Sequence, residues 1–352
     1  MSSDARPELI GHAETLRRLW QSASDGRLAH ALLFRGARGI GKFLAMQEFA
    51  WGLFCQHGPG APCRTCPPCK RLASGNHADL SLSDVAADGE EQLKVERIVL
   101  RPESKWKGTP IDIFLHLKAM DGGWRIVIMR DAHRMTESAQ NAFLKTLEEP
   151  TPSTLLLLET SEPEHLLPTL RSRLIDVLMD PLTGEQVEQV LAREGVAPEE
   201  LPALVRWSRG SPGRALEDLG RGLPLMRAIL VSGLEGQGTP GELSRALFEA
   251  SGKFPGKTPA AQTRVRVRSI LELGLDMLAD GLRASQGLST ASLTHGDIAD
   301  RFARPGLAAA LPTVIDAWLD LRRDIDLNLN PEATLHRALG QFMPVLREPS
   351  AP

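Results

Sequence analysis

The chain has 352 residues, of which 42% are hydrophobic and 24% charged, and a formal net charge of −3. Those values describe a soluble globular protein of two or three domains and set aside a partner held by bulk charge, so any nucleic-acid contact must come from a local basic patch. No apolar run approaches the ~18 residues of a membrane span. The stretch from Met1 to Pro7 lacks a signal-peptide core, and the expected location is cytoplasmic.

In chain order, Gly11–Asp25 reads as a helix with Leu16, Leu19 and Trp20 on one face. Ala29–Phe34 reads as a buried strand, and Lys42–Phe54 as the next helix. Between them lies Gly36-Ala37-Arg38-Gly39-Ile40-Gly41-Lys42-Phe43. Strand, glycine loop, lysine and helix form the phosphate-cradling arrangement, in which backbone N–H groups face an anion and the lysine reaches the outer phosphates. The spacing Gly36-x4-Gly41-Lys42 fits the P-loop, but the following residue should be Ser or Thr, to give Mg²⁺ an oxygen. Phe43 has none to give. The glycines Gly36, Gly39 and Gly41 admit two readings: a phosphate cradle, or the turn that joins strand to helix.

All four cysteines fall in one segment, Cys55-x7-Cys63-x2-Cys66-x2-Cys69. Overlapping Cys-x-x-Cys pairs wrap backbone around a tetrahedral ion, and four thiolates complete a closed structural zinc site that leaves His57 no vacancy. The alternatives are a redox pair or unliganded buried thiols.

Further along, Asp79–Leu82 and Trp124–Met129 are predicted strands, with helices at Val95–Leu100 and Ile111–Met120 between them. Arg130 and Asp131 follow the second of these strands, where a P-loop enzyme needs a metal-holding carboxylate and then a water-polarising one. An arginine there opposes a cation. If instead Asp131 holds the metal, Ala132 stands in the water-polarising place, so either register lacks one group. Glu137–Glu149 has amphipathic helical spacing and stops at Pro150. Thr154–Leu158 and Leu174–Leu178 complete five predicted strands, and their alternation with helices predicts a parallel sheet covered on both faces. Arg171 and Arg173 stand before the last strand, either as a solvated edge or as an arginine finger for a neighbour's nucleotide.

After Pro181 only helices are expected: Glu185–Arg193, Pro198–Trp207, Pro212–Leu219, one between Gly220 and Pro240, and a helical region from Glu242 onward. In that region Val267, Ile270, Leu271, Leu275, Leu278 and Leu282 share one face, and Leu311, Val314, Ile315, Trp318 and Ile325 another. Gly287–Asp297 reads as a loop, and Asn330-Pro331 as a helix start.

Together these motifs resemble the bacterial clamp-loader AAA+ subunits of DNA polymerase III, most closely the delta-prime type. The resemblance is carried by Leu9–His12, Arg27–Phe34, the cysteine insertion, Asn141–Pro150, Leu167–Arg173 and Gly210–Leu216. It covers about residues 9–220 by motif and the helical remainder by class. It implies an α/β domain followed by all-α parts: an AAA+ five-stranded parallel domain over 1–180 with a zinc module at 55–69, a three-helix lid over 181–222, and a helical collar over 223–352. It implies zinc on Cys55, Cys63, Cys66 and Cys69, a finger at Arg173 acting in trans, and a sensor near Thr160 after the fourth strand. Leu174 stands where the family's Ser-Arg-Cys motif has Cys. An active sister places an arginine two residues after Ser211; here that residue is Gly213, with Arg214 one further on.

Phe43, Arg130 and Gly213 each remove a group that hydrolysis uses. The expectation is therefore a stator-type subunit with no ATPase of its own, within the DNA polymerase III holoenzyme. It would help load the sliding clamp onto primed DNA beside gamma/tau motor and delta subunits. The alternatives are a gamma/tau-type motor and a zinc-dependent nucleic-acid binding module. A basic cluster of Arg97, Arg101, Lys105 and Lys107 around Trp106 reads as phosphate contact or as a solvated face balanced by Glu96 and Glu103. Arg264, Arg266 and Arg268 read as collar-interface or solvent residues.

Overall fold

The computed structural model describes residues 9–104, 106–120, 123–235, 237–250, 252–256, 258–302, 305–326 and 330–347. Lys105 of the basic cluster lies outside them. The chain divides into two compact units: Met1–Arg193 with Gly210–Gly213, and Glu194–Arg209 with Arg214–Pro352. No helix among the described residues is long and apolar enough to cross a membrane.

The first unit carries α1 (Ala13–Ser24), β1 (Ala31–Arg35), α2 (Lys42–Phe54), α3 (Pro67–Ala73), β2 (Leu80–Ser83), α4 (Ile111–His116), β3 (Arg125–Met129), α5 (Glu137–Glu148), β4 (Thr154–Thr160), α6 (Pro168–Arg171), β5 (Ile175–Leu178) and α7 (Gly184–Arg193). The five strands are parallel, in the order β2-β3-β4-β1-β5. Alternation assigns the side chains to two cores. Leu33, Val127, Met129, Leu156 and Leu158 meet Phe143 and Leu147 of α5 on one face. Leu32, Phe34, Ile126, Ile128, Leu155 and Leu157 meet Met46 and Phe49 of α2 on the other. Strands buried on both faces read as continuous apolar runs, which is why they stand out in the sequence.

The links between β2 and β3 depart from expectation. Val95–Leu100 forms only a 3-10 turn, Val95–Arg97. Its helix cannot extend because the carbonyl of Ile98 accepts from the N–H of Asp112 (2.9 Å). The expected helix Ile111–Met120 stops at His116. Beyond it the carbonyls of Leu117 and Lys118 accept from Arg125 (2.7 and 2.5 Å), and the N–H of Met120 donates to the buried carboxylate of Asp79 (3.0 Å). Arg97 is 6% exposed, bonded to Asp88 (2.6 Å) and Glu90 (3.3 Å), and stacked on Trp106. It anchors this crossover and does not face a phosphate; its counter-charges are Asp88 and Glu90, not Glu96 and Glu103.

The second unit contains α8 (Leu201–Ser208), most of α9 (Pro212–Gly220), α10 (Leu223–Leu234), α11 (Pro240–Glu249), α12 (Pro259–Ser285), α13 (Gly296–Phe302), α14 (Pro305–Asp326) and α15 (Pro331–Arg347). The expected apolar faces of α12 and α14 meet in one core around Trp318, whose Nε1 donates to the carbonyl of Ala338 (3.2 Å). Asn330 caps α15 through its side-chain oxygen, as the sequence predicts. The expected loop Gly287–Asp297 holds a 3-10 turn, Thr290–Ser292, and the start of α13. Asp280 organises it by accepting from the N–H of His295 (2.8 Å). Burial, with help from Arg227, pushes the His295 pKa down to about 4, so the neutral ring accepts from Arg227 Nε (3.2 Å). Arg266 lies against Phe248 and Phe254 and donates to the Phe248 carbonyl (3.3 Å), an internal packing role.

Gly274 of α12 lies under Trp318: a Cβ there would stand 2.1 Å from the indole ring. Gly274→Ala is expected to destabilise the second unit by about 1–3 kcal/mol, seen as a lower urea midpoint.

Candidate functional site

The loop between β1 and α2 is shaped by its glycines. A Cβ at Gly36 would stand 2.3 Å from the carbonyl oxygen of Met179, after β5. Gly41, which caps α2, has φ 97°, a left-handed conformation that side chains avoid. Lys42 is 5% exposed, and Nζ donates to the loop's own carbonyls at Gly36 (3.0 Å) and Ala37 (2.9 Å). Burial lowers its pKa against the pull of Glu159 and Asp131.

The two departures read from sequence, Phe43 and Arg130, meet in space. The Arg130 guanidinium lies 5.0 Å from the centroid of the Phe43 ring. It is also paired with Asp84 (2.9 Å) and Glu159 (3.5 Å). Burial works against its charge, but Asp84, Glu159 and Asp131 outweigh it and hold the group protonated. Glu159, on β4, is 6% exposed, and burial pushes its pKa up to about 7 against Lys42 and Arg130. An arginine therefore occupies the place of a cation between two carboxylates, resting on the face of an aromatic ring. Neither Asp84 nor Glu159 was singled out in the sequence. β3 ends at Met129, so Arg130 is the first residue past the strand; Asp131 follows with φ 49°. This arrangement does not fit a metal–nucleotide complex: the position after Lys42 offers no oxygen, and a cation already holds the carboxylates.

Gly213 contributes more than the loss of an arginine. Its N–H donates to the carbonyl of Gly39 (3.0 Å), and a Cβ there would stand 2.8 Å from the Gly39 Cα. Ser211 Oγ donates to the carbonyl of Arg38 (2.7 Å). The segment from Ser211 to Gly213 thus lies directly on the glycine loop.

Thr160 is the last residue of β4 rather than a residue after it. It is fully buried, and its hydroxyl meets His133 Nδ1 (3.1 Å) and accepts from the N–H of Glu162 (3.0 Å). Arg173, past α6, is away from these contacts. Nη1 donates to the carbonyl of Thr169 (2.7 Å), and Nη2 pairs with Glu148 at the end of α5 (2.6 Å). The turn before it is fixed by Gln140, missed in the sequence. Its amide donates to the carbonyls of Met135 (3.3 Å) and His165 (3.2 Å) and accepts from the N–H of Leu167 (2.7 Å).

The sulfur atoms of Cys55, Cys63, Cys66 and Cys69 lie within 4.8 Å of one another. Thiolates around a tetrahedral zinc stand about 3.8 Å apart, so the cluster fits that ion with small movement. The N–H groups of Cys63 and Cys66 point at the sulfurs of Cys55 and Cys63 (both 3.4 Å). Hydrogen bonds from Thr65 and Cys66 pull the Cys63 pKa down to about 5, while burial and neighbouring sulfurs push that of Cys69 well up. Such a cluster is stable when an ion shares its negative charge. α3 begins directly after Cys66, so the cysteine cluster and the start of a helix coincide.

A family model described as DNA polymerase III, delta subunit, matches residues 11–183. The DNA polymerase III subunit delta′ of Bacillus subtilis is 35% identical over 183 residues, covering 52% of this chain and 52% of that one. Over this region the chain resembles the clamp-loader subunits of DNA polymerase III. Another relative, the tau/gamma subunit of Haemophilus influenzae, is 31% identical over 217 residues, 60% of this chain and 29% of that one. The chain thus spans about half the length of the first relative and under a third of the second. A DNA polymerase III gamma subunit-related protein of Thermotoga maritima shares the fold, with a TM-score of 0.51 at 16% identity over 96% of this chain and 100% of that one.

Native mass spectrometry of the purified chain is expected to find one zinc. Cys69→Ser should lose it and lower Tm by roughly 5 °C or more. Gly213→Arg, which puts an arginine two residues after Ser211, should destabilise the first unit by about 1–3 kcal/mol in urea denaturation.

Proposed function

We propose that this chain is a non-hydrolysing, stator-type subunit of the DNA polymerase III clamp-loader complex. In this reading it helps place the sliding clamp on primed DNA beside gamma/tau motor and delta subunits, in the cytoplasm. It turns over no ATP itself. Arg173 projects into the ATP site of the adjacent motor subunit and stabilises the transferring phosphoryl group. Residues 181–222 act as the lid, and 223–352 as the collar that joins the ring. Cys55, Cys63, Cys66 and Cys69 hold a structural zinc that does no catalysis.

The observation that carries the reading is the Arg130 guanidinium held between Asp84, Glu159 and the Phe43 ring. Hydrolysis needs a divalent cation there, with an oxygen at position 43 and a carboxylate free to act on water. Gly36, Gly39, Gly41 and Lys42 remain as the scaffold of the loop. Their retention favours one rival, a gamma/tau-type motor whose loop still works.

Two experiments separate the readings. The isolated chain with Mg-ATP should show no sustained hydrolysis; turnover abolished by Lys42→Ala would establish the motor instead. In the reconstituted complex, Arg173→Ala should leave assembly intact and lower single-turnover hydrolysis at the adjacent site by on the order of 10³-fold. Unchanged turnover would remove the finger from the account.

A further inference from the structure

Arg173 is exposed, yet its side chain is not loose. Nη1 is fixed to the carbonyl of Thr169 (2.7 Å), and Nη2 to Glu148 Oε1 (2.6 Å). Nε takes no partner among the described residues. The two anchors come from different elements: Thr169 lies in α6, one turn before Arg173, and Glu148 is the last residue of α5. The start of α6 is itself held to α5 through Gln140 and the N–H of Leu167. The guanidinium is therefore held at a corner whose parts are fixed to one another.

We infer that Glu148 is a positioning residue for Arg173, an inference that rests on the trans-finger reading above. A guanidinium has five N–H donors in a rigid fork. With one Nη1 hydrogen on Thr169, the other toward Ser172 Oγ (3.5 Å) and one Nη2 hydrogen on Glu148, Nε–H and the second Nη2 hydrogen remain. Two adjacent donors suit two oxygens of one phosphate. The chemical partner is thus the terminal phosphoryl group of a nucleoside triphosphate held by a neighbouring subunit. Glu148 and Arg173 are both solvent-accessible, with side-chain exposures of 50% and 37%. An exposed ion pair contributes little to folding, so a role in stability does not account for this one. Its effect is on orientation: without the carboxylate, the outer half of the guanidinium swings about the Thr169 anchor.

The test uses the reconstituted clamp loader with ATP, clamp and primed DNA, in complexes whose native mass is unchanged. Glu148→Ala is expected to lower kcat by roughly 10- to 100-fold, the effect of displacing a catalytic group by about 1 Å, with little change in KM for ATP. Glu148→Gln, which keeps an acceptor oxygen, should recover a large part of the loss. Arg173→Ala should be worse than either, and adding Glu148→Ala to it should cost nothing more. If Arg173→Ala collapses turnover and Glu148→Ala does not, the positioning role fails and the finger stands. If Arg173→Ala leaves turnover unchanged, the finger reading itself fails. A further drop in the double variant, or a rise in KM at constant kcat, would also overturn the inference, because Glu148 would then act elsewhere.

Discussion

The charged groups beside the first unit's glycine loop depend on one covalently tethered cation. Two carboxylates, Asp84 and Glu159, stand in a largely buried place at the ends of β2 and β4, on either side of β3. Buried carboxylates need a partner, and breaking such a pair is far more costly than never having made it. In a hydrolysing P-loop protein that charge is met by a metal arriving with the nucleotide. Here the Arg130 side chain meets it permanently. Phe43, a defect when read as a missing hydroxyl, becomes the surface on which the guanidinium rests. The Lys42 ammonium donates to the loop's own carbonyls at Gly36 and Ala37.

Much of this fold could be read from the chain. β1, β3 and β4 are buried on both faces, so apolar runs bounded by glycines, prolines and charges mark them. The cysteine cluster was legible because metal ligation at close spacing is a local property. What escaped is set by distant partners. The end of α4 is fixed by Arg125, which captures the carbonyls of Leu117 and Lys118. Arg97 looked like part of a basic face, but Asp88 and Glu90 draw it inward. The roles of Gln140, Asp84 and Glu159 belong to side chains meeting across elements, where periodicity carries no signal.

The site was legible as a set of absences and illegible as a set of contacts. Sequence shows that Phe43, Arg130 and Gly213 lack the groups an ATP site uses. It does not show that Phe43 and Arg130 touch, or that Gly213 is a glycine because it lies on Gly39. The same residues thus read differently as missing groups and as contacts: Phe43 and Arg130 pack on each other, and Gly213 packs on the loop.

The apposition of Gly213 and Gly39 also limits what these positions can accept. A side chain at 213 meets loop backbone, a hydroxyl at 43 leaves Arg130 without its aromatic support, and a carboxylate at 130 adds a third negative group beside Asp84 and Glu159. Each change alone therefore costs a contact that the first unit has. Phe43 and Arg130 touch, so changes at these two positions are not expected to add. The three positions are held by packing and charge among the protein's own groups, whatever the loop binds.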